Sequence, residues 1–149
     1  MQNPNLPKVV PVFPKMQARY GNGEMLVPSP AEVEECIRAV PEGEILTVGQ
    51  IRDTLARKYQ VNTTCPLTTG IFVRLVAEAA EEDAQAGRRE ITPYWRVVKD
   101  DGSLFSKFPG GAERQRERLS AEGHHIVPGQ RGKPPKVVME NRPVTEKKL

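Results

Sequence analysis

The sequence predicts a mainly helical α/β fold, and three observations support that prediction. Two segments open with a capping box, in which a hydroxyl residue is followed three positions later by Glu or Gln, at Ser29/Glu32 and at Thr47/Gln50. Apolar residues at helical spacing follow each box. Short apolar runs around the turn at residues 100–102 are typical of β-hairpins.

Three helices are predicted in the first half of the chain. The first runs from Pro30 to Pro41, the second starts at Thr47, and the third extends from near Pro66 to about Ala86. Their inward residues are predicted to be Val33, Cys36, Ile37 and Val40, then Ile51, Leu55 and Tyr59, then Ile71, Leu75 and Val76. Two helices joined by a short turn indicate a winged-helix-like, helix-turn-helix core.

The second half of the chain is predicted to alternate short strands with one helix. Residues 95–98 and 103–105 have the pattern of a short hairpin. Pro109-Gly110-Gly111 leads into a charged helix that ends at Gly123. Residues 125–127 and 136–139 flank a Pro/Gly-rich turn, which predicts a terminal hairpin that would be the wing of a winged-helix protein.

Charge and proline content divide the chain into three parts. Residues 1–28 contain five prolines and carry a net charge of +2, so an extended or partly disordered arm is expected. Residues 29–128 form the predicted domain, with a net charge of −3, and residues 129–149 are a basic tail of +4 that starts with a hairpin strand. An acidic central domain disfavours non-specific nucleic-acid binding, which depends on neutralising phosphates.

Composition narrows the class of protein. Apolar content of 38% and charged content of 28% are typical of a soluble globular protein, and no run approaches the roughly 20 apolar residues of a membrane span. Lys8, Pro11 and Pro14 interrupt the apolar patch where a secretory signal would lie, so a cytoplasmic location is expected. Two cysteines and adjacent histidines give no zinc-site spacing, and neither a metal nor a cofactor is expected.

Several motifs lie in the order and spacing of one family. Residues 40–51 (VPEGEILTVGQI) are similar to its "IPxGxxxTYGxIA", and residues 93–98 (PYWRVV) to its active-site "PCHRVV". Residues 101–111 resemble "DGSLGGYSGG", and residues 122–123 match a late "EG". Apart from an insertion at the end of the third helix, residues 29–125 therefore resemble the DNA-binding domain of the O6-alkylguanine-DNA alkyltransferases.

The resemblance also shows what is missing. In that family a cysteine takes the alkyl group from guanine O6, and a neighbouring histidine, acting through water and a glutamate, keeps the sulfur as thiolate. Tyr94 stands at the cysteine position, Trp95 at the histidine position and Glu122 at that of the glutamate. A phenol has a pKa of about 10 and an indole accepts no proton, which excludes alkyl transfer by the family mechanism.

Alkyltransferase-like proteins, the branch of the family that also lacks the cysteine, bind O6-alkylguanine without repairing it and pass the lesion to excision repair. The resemblance implies a lesion pocket, in which Tyr94 would form a wall for a flipped base. Its candidate residues are Tyr94, Trp95, Arg96, Phe108 and Glu122. The alternative is that Tyr94 and Trp95 only fill a disused pocket. Arg96 is expected to make a structural hydrogen bond or ion pair.

Double-stranded DNA, alkylated or plain, is the expected partner, with a repair protein as a second one and the oligomeric state undetermined. Val48 replaces the family's tyrosine in "TYG", and Leu67 aligns near its recognition-helix arginine. Leucine can wedge between bases and threonines can bind phosphates. The candidate DNA-binding residues are Val48, Arg52, Arg57, Lys58, Leu67, Thr68, Thr69, Gly70 and Arg74.

Two other functions stay open. The scaffold could serve as a protein-interaction module that uses the acidic helix end at residues 78–83 and the Pro-rich arm. The third hypothesis is a redox or transferase activity at Cys65, which precedes Pro66 at a predicted helix start, where the helix dipole lowers a thiol pKa.

Overall fold

The computed structural model describes residues 5–139. Its helices are α1 (Gln17–Tyr20), α2 (Pro30–Arg38), α3 (Val48–Tyr59), α4 (Pro66–Gln85) and α5 (Gly111–Ala121), with short 3₁₀ helices at Pro14–Met16 and Tyr94–Arg96. Its strands are β1 (Lys8–Pro11), β2 (Glu24–Val27), β3 (Leu46–Thr47), β4 (Thr63–Thr64), β5 (Val97–Val98), β6 (Ile126–Val127) and β7 (Lys136–Val137). Helical residues outnumber strand residues, so the mainly helical α/β class is confirmed.

The two predicted capping boxes are present. The Ser29 hydroxyl accepts a hydrogen bond from the Glu32 amide, while the Glu32 carboxylate accepts one from the Ser29 amide. Thr47 and Gln50 make the same reciprocal pair at the start of α3. These bonds satisfy amides that a helix N-terminus leaves without partners. Both helix starts are therefore determined by local sequence.

Helices α2, α3 and α4 enclose the main hydrophobic core together with the segment from Tyr94 to Val98. Val33 and Ile37 of α2, and Ile51 and Leu55 of α3, are buried as predicted, and Cys36 packs half-buried at the edge. The α4 prediction is partly wrong. Its buried face is formed by Thr69, Val73, Val76, Ala77 and Ala80, and this register turns Ile71 outward, where 42% of its surface is exposed.

Residues 5–28 differ from the expected arm. Strands β1 and β2 form an antiparallel hairpin, and β2 pairs in parallel with β4, so a three-stranded sheet joins this segment to the helices. Val12 and Met25 are buried with Cys65 in a second, smaller core. The prolines suggested an irregular arm, but Pro7 immediately precedes the outer strand β1 and Pro11 is its last residue. Proline is tolerated at the ends of an edge strand.

The predicted hairpin at residues 95–105 is also wrong. Residues 94–96 form the 3₁₀ helix, and β5 pairs in parallel with the distant β3. This pairing brings the Asp100 carboxylate to the start of α3, where it accepts a hydrogen bond from the Gly49 amide at 2.7 Å. A Cβ on Gly49 would lie 2.8 Å from that carboxylate, so a larger residue would have to displace the exposed Asp100 side chain from this hydrogen bond.

The last described elements follow the prediction more closely. Helix α5 runs from Gly111 to Ala121, and β6 and β7 pair antiparallel as the expected terminal hairpin. Ser103 forms an isolated bridge with Lys136, so its segment joins this hairpin instead of β5. The winged-helix comparison stays a prediction. About half of the basic tail, residues 140–149, lies outside the described residues.

Candidate nucleic-acid interface

Tyr94 occupies the centre of the region to which the active-site motif points. Its side chain is fully buried, and its ring meets those of Trp95 and Phe108 edge to face, at centroid distances of 5.4 and 5.3 Å. Its hydroxyl donates a hydrogen bond to Glu81 Oε2 at 2.5 Å. Burial, and then this bond, raise the pKa of the Tyr94 phenol, so it stays protonated near neutral pH.

Glu81 is a buried carboxylate held by three donors. Besides Tyr94, it accepts hydrogen bonds from Arg118, at 2.8 and 3.1 Å, and from Arg114, at 3.2 Å. Burial raises its pKa, but the bonds from Tyr94 and Arg118 outweigh burial and lower the pKa overall. The acidic helix end at residues 78–83 is therefore not wholly a solvent-facing surface, because Glu81 points into the core.

Glu122 holds a second network on the other side of Trp95. It accepts a hydrogen bond from Trp95 Nε1 at 2.9 Å and is paired with Arg96, whose Nη2 lies 2.7 Å from Oε2. Arg96 also donates to the Val40 carbonyl at 2.7 Å, which gives it the structural contacts that the sequence predicts. Burial raises the pKa of Glu122, but its bonds to Arg96 and Trp95 lower it overall.

These contacts bear on one residue of the predicted lesion pocket, Tyr94. A fully buried Tyr94, enclosed by Trp95, Phe108 and Glu81, offers no surface to a flipped base. The Tyr94 phenol and the Trp95 indole fill this space, and they donate hydrogen bonds to the carboxylates of Glu81 and Glu122. Of the two interpretations of Tyr94, this structure favours the filled pocket.

An apolar groove lies next to this packed centre, on the far side of Phe108. It has a volume of about 360 Å³ and runs between the first half of α4 and the loop of residues 105–108. We call it the α4 groove. It is lined by Pro66, Leu67, Gly70, Ile71, Arg74, Lys99, Phe105, Ser106, Lys107 and Phe108. Phe105 and Phe108 stack at 4.3 Å, and Phe108 also contacts Tyr94.

The groove has the composition of a binding surface. Leu67 is 73% exposed and Ile71 is 42% exposed, although both are large apolar residues on a helix. Arg74, Lys99 and Lys107 add three cations, of which Arg74 is 3.7 Å from Glu78 and Lys99 lies over the Phe105 ring. Exposed apolar side chains beside cations are typical of an interaction site, here one suited to an anionic ligand with a flat apolar part.

Only some of the predicted DNA-binding residues reach this groove. Leu67, Gly70 and Arg74 line it. Thr69 does not, because it is fully buried and its hydroxyl donates to the Cys65 carbonyl at 2.7 Å. The phosphate contact expected of Thr69 is therefore not available in this structure.

The remaining candidates lie outside the groove. Arg52 donates to the Thr64 carbonyl and the Thr63 hydroxyl and so secures β4, while Val48 packs half-buried against the core. The Thr68 hydroxyl is 3.2 Å from the Cys65 sulfur. Arg57 and Lys58 are exposed near the end of α3, and Lys58 pairs with Glu32.

Sequence reasoning did not name six lining residues of the groove among the site candidates; they are Pro66, Ile71, Lys99, Phe105, Ser106 and Lys107. Four of them follow β5 on the turn and the loop, and of these only Phe105 was placed in a strand by the mistaken hairpin prediction. The sequence signal that points to the loop is its segment of residues 105–108, FSKF, in which a lysine lies between two aromatic residues.

Neither cysteine lines the groove. Cys65 is 7% exposed and packs against Val12 and Met25 in the smaller core, which is the environment of a structural cysteine. For Cys36, burial and then the neighbouring Glu35 raise the thiol pKa to about 11, so its thiolate is scarce near neutral pH. Among residues 5–139 no group of three or more His, Cys, Asp or Glu could hold a metal ion, and no helix there could cross a membrane.

Comparison with known proteins adds the family. The protein-family model described as "6-O-methylguanine DNA methyltransferase, DNA binding domain" matches residues 28–124. The chain belongs to this family. Within the matched segment, α3 starts at the "TYG"-like motif, α4 is the next helix, and the α4 groove lies along its first half.

Two solved structures are similar to the chain. They are S. pombe Atl1 in complex with damaged DNA containing O6-carboxymethylguanine and S. pombe ATL in complex with DNA. Each has a TM-score of 0.48 and 20% sequence identity, and each match covers 74% of this chain and 89% of the other. A search of curated proteins found no significant match.

Proposed function

We propose that this member of the methyltransferase family binds double-stranded DNA at a modified base, of which O6-alkylguanine is the first to test, and that it does not remove the alkyl group. The observation that carries the proposal is the α4 groove. It combines exposed Leu67 and Ile71 with stacked aromatic rings and three cations, in a domain whose family is defined by DNA binding.

The groove matches the two chemical parts of a nucleotide. Phe105, half-buried and stacked on the buried Phe108, offers an apolar wall to a base and its alkyl group, and base–aromatic stacking contributes about 1–3 kcal/mol per base. Arg74 and Lys107 lie at the same groove, where they supply charge for the adjoining phosphates. Leu67, exposed at the start of α4, is suited to replace an extruded base in the stack.

The absence of alkyl transfer follows from Tyr94. An acceptor must be a good nucleophile and must reach the alkyl carbon. The Tyr94 phenol has a raised pKa, is fully buried and already donates its proton to Glu81. Trp95 cannot act as a base, and its indole N–H donates a hydrogen bond to the Glu122 carboxylate.

Binding of labelled duplexes tests the proposal. One duplex carries a single O6-methylguanine and the other is plain, and both are titrated with protein by fluorescence anisotropy at several salt concentrations. We expect tighter binding to the modified duplex. In a variant with Arg74→Ala and Lys107→Ala we expect weaker binding to both duplexes and a salt slope reduced by about 1 for each phosphate that the variant no longer neutralises.

The matched control replaces two exposed lysines outside the groove, Lys15→Ala and Lys133→Ala, which removes the same charge. It should leave the salt slope nearly unchanged. Mass spectrometry after incubation with the modified duplex should show an unchanged protein mass. Equal affinity for the two duplexes would refute recognition of the modified base, and a protein heavier by one methyl group would refute the non-catalytic assignment.

A further inference from the structure

A second cavity lies at the opposite end of α4. It has a volume of about 750 Å³, and we call it the arginine cleft, because Arg38, Arg88, Arg89, Arg96 and Arg118 line it. Trp95 is also part of its wall and of a smaller adjoining cavity of about 280 Å³. Nothing in the proposed DNA contact uses this cleft.

The five arginines differ in how much of their charge is available. Arg96 is paired in full with Glu122 and is part of the core. Arg118 donates through Nε and Nη2 to Glu81, and its guanidinium lies over the Trp95 ring at 4.6 Å. Its Nη1 makes none of these bonds. The inner wall of the cleft therefore combines an aromatic ring with a partly available guanidinium.

The outer arginines are more available. Arg38 and Arg88 have side chains that are 60% and 69% exposed and pair with Glu34 and Asp83, the latter at 3.7 Å. Arg89 is exposed beside them. Exposed pairs of this kind contribute little, about 0–1 kcal/mol, so a partner's carboxylates can replace them at small cost.

The cleft is separate from the α4 groove. Arg74 lines the groove and Ala84 lines the cleft, and these two positions lie about 15 Å apart along the helix at a rise of 1.5 Å per residue. Arg88 and Arg89 belong to the segment in which this chain is longer than the family motifs predict. The cleft therefore combines these outer arginines with Glu42, Pro93, Trp95 and Arg96, which belong to the family motifs, but it shares no lining residue with the α4 groove.

We propose that the arginine cleft binds an acidic peptide segment of a partner protein. Guanidinium groups bind carboxylates through paired hydrogen bonds, and the three exposed arginines of the cleft, Arg38, Arg88 and Arg89, are complementary to a segment with several acids. Ile91, Pro93 and Trp95 add apolar wall for the side chains between those acids. A cleft of this volume also exceeds what a single small anion would fill.

A peptide suits the cleft better than a duplex does. Phosphates lie on the convex surface of a duplex, whereas a Glu or Asp side chain can reach Arg118 on the inner wall. Glu42 and Glu90 also line the cleft, which opposes a uniformly charged polyanion but tolerates a peptide whose acids alternate with other residues.

Trp95 makes the test specific, because it is the single tryptophan of the chain. The probe is a short synthetic peptide in which glutamates alternate with glycine around one central leucine. We expect it to change Trp95 emission and to protect Trp95 from acrylamide quenching, while the same peptide with glutamine for glutamate does neither. The variant R88E/R89E should weaken binding at least about tenfold, whereas K15E/K133E, with the same change in net charge, should weaken it less than about twofold.

Three results would overturn the proposal. The first is no saturable effect of the glutamate peptide on Trp95. The second is equal binding of the glutamine peptide, and the third is equal loss of affinity in the two variants. If R88E/R89E weakens binding of a plain duplex as strongly as it weakens binding of the peptide, the cleft is a nucleic-acid surface and the protein partner is refuted.

Discussion

Removing one hydroxyl group tests whether Tyr94 is a structural residue. The substitution Tyr94→Phe keeps the ring, and with it the edge-to-face contacts to Trp95 and Phe108. It deletes only the hydrogen bond to Glu81 at 2.5 Å. Because Glu81 is buried, the lost donor cannot be replaced freely by solvent.

The expected loss follows from the charge of the acceptor. A hydrogen bond to a charged group contributes about 1.5–3 kcal/mol to stability. Glu81 keeps its bonds to Arg114 and Arg118, which places the expected loss near the middle of that range, at about 2 kcal/mol. For a chain of this size, 1 kcal/mol lowers Tm by roughly 2–4 °C, so Tm should fall by roughly 4–8 °C.

Urea unfolding followed by far-UV circular dichroism measures this loss, and Tyr59→Phe is the matched control. The Tyr59 hydroxyl also donates to a carboxylate, that of Glu32, but at a half-buried site near the end of α3. Its removal should cost less, about 1 kcal/mol or below. Duplex binding by Tyr94→Phe at a temperature where it is folded should match that of the unmodified protein, because Phe108 and the α4 groove are retained.

Two outcomes would refute this reasoning. If Tyr94→Phe is as stable as the unmodified protein, the hydroxyl does not support the Glu81 network. If the variant keeps its stability but loses preference for an O6-methylguanine duplex, Tyr94 contacts the base. The filled-pocket interpretation would then be wrong.

Two further predictions concern titratable groups. The pKa values of Glu81 and Glu122 are lower in the folded protein than in the unfolded chain. Both carboxylates therefore contribute their full stabilisation of the fold above the unfolded pKa of about 4.5, and they lose it as the pH falls through their lower folded pKa values. The urea midpoint of unfolding should therefore fall steeply below about pH 4.5. The substitution Glu122→Gln should lower the stability by about 3 kcal/mol at pH 7 and make this pH dependence less steep. An unchanged pH profile in the variant would contradict the stabilising role of the Glu122 carboxylate. In the folded protein, Cys36 and Cys65 should react with a thiol reagent near neutral pH much more slowly than they do in the urea-unfolded chain. Rapid modification of Cys65 in the folded protein would instead support the hypothesis of a Cys65-dependent activity.

What the sequence predicted well is local. Ser29/Glu32 and Thr47/Gln50 mark their helices because a capping box is closed within four residues, and β6 and β7 are joined by a turn that the Pro/Gly pattern reveals. The family was accessible for a different reason: its motifs are short segments whose order and spacing the chain keeps.

What the sequence missed depends on contacts between distant segments. The partner of Tyr94 is Glu81 on another element, and Arg52 is used by β4 instead of by DNA. The α4 groove needs the parallel pairing of β3 with β5, which sets the path of the chain towards Phe108. No periodicity in one segment encodes such a contact. For the same reason strand β1 could not be predicted from its own residues, because it is defined by its pairing with β2.

The two substitutions in the "PCHRVV"-like motif are best understood together with the carboxylates that they contact. A buried phenol and a buried indole each leave a polar hydrogen that must find an acceptor. Glu81 serves the first, and Glu122, the counterpart of the acid that assists the family's histidine, serves the second. Glu122 is thereby committed to hydrogen bonds with Trp95 and Arg96 and is not available to activate a thiolate. Since Phe108 rests edge-on against Tyr94 at 5.3 Å, that core also fixes one wall of the α4 groove. The Tyr94–Glu81 and Trp95–Glu122 pairs and one wall of the proposed binding groove therefore belong to the same packed core, and a variant that loosens the core should loosen the groove with it.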